Sequence, residues 1–206
     1  MGAVEQSNAI YLSISNGQIC RRVPKKTNKS QERVNKNGVT VHEEFHKGWK
    51  GRITGIVVRD HKDYGKFWNI TLTDSEGDAV LQMKYSSGYA TAFLKMLPNV
   101  DLNSDVIITP NMKIEGDKKK TTVFVTQHGV ALKHYYNRDN PNGLPELKKL
   151  KVKGKETWDD SDMAEFLENM VNTEIVPKLG KTAGTASDVL EVDAEEIPAG
   201  DDDLPF

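Results

Sequence analysis

Between Gly48 and Lys133 the hydrophobic pattern runs at the strand period, switches once to the helix period, and switches back, and few architectures accommodate that order. The segment KFWNITLTD (66 to 74) sets Trp68, Ile70 and Leu72 on one face and Phe67, Asn69 and Thr71 on the other. Such alternation marks a strand buried on one side. Before it, GWKGRITGIVVRD (48 to 60) reads as a strand whose Gly51 and Gly55 are spaced as bends or bulges. After a turn at 75 to 78, AVLQMKY (79 to 85) groups Ala79, Leu81, Met83 and Tyr85 against Val80, Gln82 and Lys84. Tyr89, Ala92, Phe93, Met96 and Leu97 then follow at helical spacing, with Ser86 or Ser87 to cap and Pro98 to stop, which predicts a helix of about three turns. Strands over 104 to 115 and 120 to 128 complete the unit, joined through Gly116, Asp117, Lys118, Lys119 and Lys120.

Three strands, a helix and two strands, with a basic loop between the last two, is the plan of the five-stranded OB-fold barrel, whose loops 1–2 and 4–5 contact oligonucleotides. Those loops fall here at 61 to 66 and 116 to 120. The chain is thus expected to be mainly β. A closed barrel at 48–133 follows an N-terminal β extension and basic loop at 1–47; a basic connector and amphipathic helix at 134–177 and a disordered acidic tail at 178–206 come after it.

Charge divides along the same lines. Residues 1 to 158 hold 26 Lys and Arg against 16 Asp and Glu, whereas residues 159 to 206 hold 2 against 14. A basic body suits a polyanionic partner, and an acidic tail suits a separate task or plain solubility. The single cysteine, Cys20, excludes an internal disulfide and suits a reducing compartment. No apolar run long enough to span a bilayer and no signal-peptide core occur, so the expected location is cytoplasmic, without membrane contact.

Residues 8 to 23 predict a hairpin, with Ile10, Leu12 and Ile14 alternating and Asn16-Gly17 supplying the left-handed pair of a type I′ turn. The stretch 24 to 38 lacks periodicity and, with Arg21 and Arg22, carries seven basic residues against Glu32, which reads as an exposed loop facing phosphate. His42-Glu43-Glu44-Phe45-His46 matches the zinc-hydrolase pattern H-E-x-x-H. That pattern requires a helix. Here Val39, Val41, Glu43 and Phe45 alternate with polar neighbours just before Gly48, and in a strand two residues four apart are separated by roughly 13 Å, too far to share a zinc. No other constellation joins a nucleophile to a base, and no phosphate-cradling loop or Cys-x-x-Cys occurs, so neither enzymatic activity nor a cofactor or metal is expected.

Past the barrel, 134 to 156 is polar, turn-rich and basic, and Tyr135 and Tyr136 suit either edge packing or stacking. From Trp158 a helix is expected, with Asp159 or Asp160 as cap, Trp158 stapled onto Met163, and a stripe of Met163, Phe166, Leu167, Met170, Val171 and Ile175 running to Pro177.

The chain finishes on Asp201-Asp202-Asp203-Leu204-Pro205-Phe206. This ending resembles the acidic C-terminal tip of single-stranded DNA-binding proteins, where an acidic run precedes an aliphatic residue, proline and a terminal phenylalanine. The bacterial form has isoleucine where this chain has Leu204. The extra N-terminal residues and the short tail make bacteriophage-encoded members the more similar group, and they leave monomer and homodimer open. The resemblance implies non-specific binding of single-stranded DNA in replication, recombination or repair, with Asp201 to Phe206 recruiting partner enzymes and, for a phage protein, the host cytoplasm as location. A protein-interaction adaptor on the same scaffold is the second reading, and a zinc hydrolase using His42 to His46 ranks last.

Sequence-independent strand binding requires cations along the phosphates and rings on which bases stack. The candidates are Arg21, Arg22, Lys25, Lys26, Arg52, Arg59, Lys62, Lys66, Lys84, Lys113, Lys118, Lys119 and Lys120 for phosphate, and Trp49, Tyr64, Phe67 and Phe124 for stacking. Trp68 is expected to face the core.

Overall fold

The computed structural model describes residues 9–35, 38–116, 118–152 and 155–179. Its first hairpin joins β1 (Ile10–Ser15) to β2 (Gln18–Val23) through Asn16 and Gly17, whose φ values of 48° and 75° are those of the turn foreseen. β3 (Gln31–Val34) and β4 (Thr40–His46) follow. β5 (Trp49–His61), β6 (Gly65–Asp74) and β7 (Gly77–Lys84) form an antiparallel meander. α1 (Gly88–Met96) comes next, capped by the Ser87 hydroxyl, which accepts from the Ala90 amide, and a single 3₁₀ turn carries Pro98. β8 (Val106–Glu115), β9 (Lys118–Gln127) and the short β10 (Val130–Ala131) complete the main sheet.

The sheet contains ten strands in the order β10-β9-β8-β5-β6-β7-β1-β2-β4-β3. It is open, which corrects the expected closed barrel. The reason lies at the edge of β7, where β1 pairs in parallel through Ile10–Ala79, Tyr11–Val80 and Leu12–Leu81 and takes the place that β9 would need for closure. The N-terminal hairpin is therefore part of the sheet rather than an extension beside it. Its turn reaches the far arm: a Cβ on Gly17 would lie 2.7 Å from the Met112 amide nitrogen, and the Gly17 amide donates to the Tyr89 hydroxyl at 3.0 Å.

One core runs beneath the sheet. Leu12, Trp68, Ile70, Leu72, Leu81, Ile108, Val123 and Val125 meet Phe93, Met96 and Leu97 of the α1 region. Of the two glycines read as bends, Gly55 sits at a register shift after Ile53. Gly51 stays in register and serves close approach, since a Cβ there would lie 3.1 Å from Leu72 Cβ.

Four further expectations are corrected. The segment 24 to 38 is not all loop, because β3 pairs with β4 and Arg33 holds Glu43 with two hydrogen bonds of 2.6 and 3.0 Å. The connector contains a separate two-stranded sheet, β11 (Lys148–Val152) and β12 (Lys155–Asp159). Trp158 belongs to β12, not to the helix, so it does not staple onto Met163; it is 56% exposed beneath the Lys149 ammonium. The final helix begins as α2 (Ser161–Met170), continues through a π turn at Val171–Ile175, and ends as α3 (Val176–Leu179). Pro177 therefore does not stop it. Asp160 occupies the cap position without a side-chain bond, while Asp159 accepts from the Ser161 amide. The apolar stripe itself packs as expected, with Met163, Leu167, Met170, Val171 and Ile175 buried in the core and Phe166 half-buried against it.

The H-E-x-x-H residues lie on β4, as the alternation predicted, and Glu43 is turned to Arg33. Among the described residues no helix is long and apolar enough to cross a membrane. The acidic ending lies outside the described residues.

Candidate nucleic-acid interface

β6 separates two kinds of aromatic residue by one position. Trp68 is 1% exposed and stacks on Tyr85, with ring centroids 5.7 Å apart and planes 6° from parallel. Phe67 is half-buried on the opposite face. Its register partners are Arg59 on β5 and Lys84 on β7. Directly opposed residues of an antiparallel sheet have Cβ atoms about 4.5–5.5 Å apart, so a ring flanked by two cations forms one row across three strands. Among the described residues neither Arg59 nor Lys84 is ion-paired with a carboxylate.

The rows beyond continue in the same character. Val57, Asn69 and Gln82 come next, with the Gln82 amide donating to Asn69 Oδ1 at 3.2 Å. Gly55, Thr71, Val80 and Tyr11 follow, and Tyr11 is exposed. The outer face of β5, β6, β7 and β1 thus offers a cation pair, two amides and two rings. It has the components of a surface on which bases stack while their phosphates are neutralised. Tyr11, Asn69 and Gln82 were missed in the sequence reading. The alternation of β6 and β7 carried the signal for the two amides; Tyr11 required the parallel pairing of β1.

Lys66 precedes Phe67 and by alternation lies on the Trp68 side of β6, its ammonium 5.4 Å from the centre of the Tyr85 ring. The Tyr85 hydroxyl donates to Glu168 of α2 at 2.5 Å. Burial and that carboxylate push the phenol well above its usual range, so it remains a donor and pins α2 to the core side of the sheet, just past the end of β7. Lys62 and Tyr64 occupy the turn between β5 and β6, where the Tyr64 ring lies 4.8 Å from that of His61.

The second basic cluster is the tip of the β8–β9 arm. Lys113 opposes Lys120, Ile114 opposes Lys119, and Glu115 opposes Lys118. Lys120 is bonded to Glu115, which holds that carboxyl below the usual carboxylate range. Lys118 to Lys120 belong to the strand rather than to the loop foreseen for them. Down the same arm Phe124 is 51% exposed and opposes Thr109, while Val123 and Val125 enter the core. The arm stands beside the end of β7: four residues beyond Lys84, a Cβ on Gly88 would lie 3.0 Å from the Thr121 carbonyl oxygen.

Other candidates fall elsewhere. Trp49 packs against the core and meets the edge of His46 with centroids 5.4 Å apart, so it is a packing residue rather than an open platform. Arg52 opposes Thr73 and lines, with Lys50, Asp74, Ser75 and Asp105, a cavity of about 420 Å³. Lys50 is paired with Asp105 there at 3.2 Å, and the Arg52 Nε is buried without a partner. Arg21 and Arg22 stand opposite Glu44 and Glu43 on β4; Lys26 is paired with Glu32 at 2.7 Å, and Lys25 is exposed. Most cations of the N-terminal segment are thus set against carboxylates.

Compared with known protein families, curated proteins and solved structures, the chain finds no match.

Proposed function

We propose that this chain binds single-stranded DNA without sequence specificity and is not an enzyme. The observation that carries the reading is the Arg59–Phe67–Lys84 row on the outer face of the sheet. A half-buried ring on the outer face, set between two unneutralised cations, suits a base with a phosphate on either side. We read β5 to β9 with α1 as an OB-type unit: β5, β6 and β7 form the meander, α1 precedes the β8–β9 arm, and β8 pairs with β5 through Trp49–Ile108 and Gly51–Val106. In such a unit the outer face of the second and third strands is where oligonucleotides lie. Residues 201 to 206, acidic and then apolar, are proposed to dock on replication, recombination or repair enzymes, and the site of action is the cytoplasm of a host cell.

Fluorescence titration with oligo-dT over a range of salt tests this reading. If about five phosphates are neutralised, the slope of log K against log salt is near −3.5. Absence of oligo-dT binding overturns the proposal, and a flat salt response removes the cationic part of it. Deleting residues 201 to 206 is expected to leave strand binding intact while ending capture of replication enzymes.

A further inference from the structure

The β11–β12 hairpin carries a feature that the core does not use. Trp158 opposes Lys149 in register, with the Lys149 ammonium 5.0 Å from the ring centre, and the indole is 56% exposed. Alternation sets Lys151 and Glu156 on the same face as Trp158. Five lysines fall between 148 and 155, against Glu156 and Asp159 in the rest of the hairpin. An isolated two-stranded sheet is only marginally stable, so an indole this exposed adds little to it beyond the cation–π contact. A wide ring among lysines is complementary to a base and its phosphates.

The position of the hairpin strengthens the case. Lys148 is ion-paired with Asp162 in the first turn of α2, and Glu168 of the same helix accepts from Tyr85, which directly follows Lys84 and lies on the core side of that end of the sheet. Six residues of helix separate these two anchors, or about 9 Å along the axis at 1.5 Å per residue. The hairpin is thus fastened near the end of the sheet that holds Lys66, Lys84 and Phe67.

We infer that β11–β12 is a second contact element for single-stranded nucleic acid, with Trp158 stacking on a base and Lys149 and Lys151 meeting the adjacent phosphates. This rests on the strand-binding function proposed above. A strand that crosses the Arg59–Phe67–Lys84 row continues onto the hairpin when it is long enough, so the hairpin adds affinity for long strands and none for short ones.

The test uses the full chain and oligo-dT of about 4 and about 16 nucleotides, the range of site sizes for one OB-type unit. Trp158→Ala is expected to weaken binding of the long strand by roughly 5- to 150-fold, the size of one lost stack, and to leave the short strand unaffected. Trp158→Phe should recover most of the loss. Replacing Lys149 and Lys151 with Gln should flatten the long-strand salt slope by about 1.4, or 0.7 per phosphate. Thermal unfolding of each variant should match the parent. If Trp158→Ala binds the long strand like the parent, or loses both lengths equally, the hairpin is not a contact element. If the parent binds neither length, the strand-binding function itself fails.

Discussion

The outer face of β5–β6–β7 and the tip of the β8–β9 arm are both basic, yet they differ in how their charge is held. On the face, Arg59 and Lys84 flank a ring, and that ring is backed by a sheet whose other side is the core. At the tip, Lys120 is tied to Glu115, Lys118 stands opposite that same glutamate, and no buried side chain lies among residues 113 to 120 that the structure describes. Exposed ion pairs contribute only about 0–1 kcal/mol and are easily exchanged. The comparison teaches that a lysine count ranks the tip first, whereas geometry ranks the face first. Unneutralised charge on a rigid support costs less to order around a ligand than paired charge on an exposed tip.

Charge reversal is the strongest way to break this comparison. Arg59→Glu with Lys84→Glu should weaken oligo-dT binding by about 3 kcal/mol or more, since hydrogen bonds to charged groups contribute about 1.5–3 kcal/mol each. The same reversal of Lys118 and Lys119 should cost clearly less, and an equal loss in the titration would show that the two regions are equivalent. Phe67→Ala should weaken binding by about 1–3 kcal/mol with the melting temperature nearly unchanged, whereas Trp68→Ala should lower stability by about 3–5 kcal/mol. A large fall in melting temperature for Phe67→Ala would place the ring in the core instead. Glu115→Gln releases Lys120 and should tighten binding a few-fold at low salt, with the gain vanishing as salt rises.

The smallest effect concerns His134, whose pKa is lowered by burial and by the nearby Lys95 charge. A histidine depressed in the folded state contributes stability that is present above the unfolded value of about 6.5 and is lost as pH falls through the lower folded value. His134→Gln should therefore flatten the decline of stability below about pH 6.5 in urea titrations, leaving strand affinity at neutral pH untouched. An unchanged profile would mean that His134 does not titrate differently on folding.

Much of the architecture was legible because period carries it. Trp68, Ile70 and Leu72 alternate along one strand, and Ser87 and the Tyr89–Leu97 spacing mark the one helix between β7 and β8. The same alternation turned Phe67 outward and excluded a metal-binding helix at His42 to His46. What failed had a common cause. β3 and β11 are short and carry polar or basic side chains on exposed positions, so their only signal is pairing with a partner strand, which local sequence does not display. Trp158 was read as a helix staple because its neighbours Asp159 and Asp160 suit a helix start; the register with Lys149 decided otherwise. Pro177 sits within the helix because the preceding π turn reroutes the backbone bonds that a proline would break.

By itself, then, the order of residues determined which faces are apolar, where the helices and tight turns lie, and how charge divides between body and ending. Tertiary structure alone decided that β1 would take the free edge of β7, leaving the sheet open, and that Arg59, Phe67 and Lys84 would share a row. The physical reason is range. Periodicity and capping act over one turn or one strand, whereas an edge goes to whichever strand buries the most surface there, and the 69 positions that separate Ile10 from its partner Ala79 leave no local mark of that outcome.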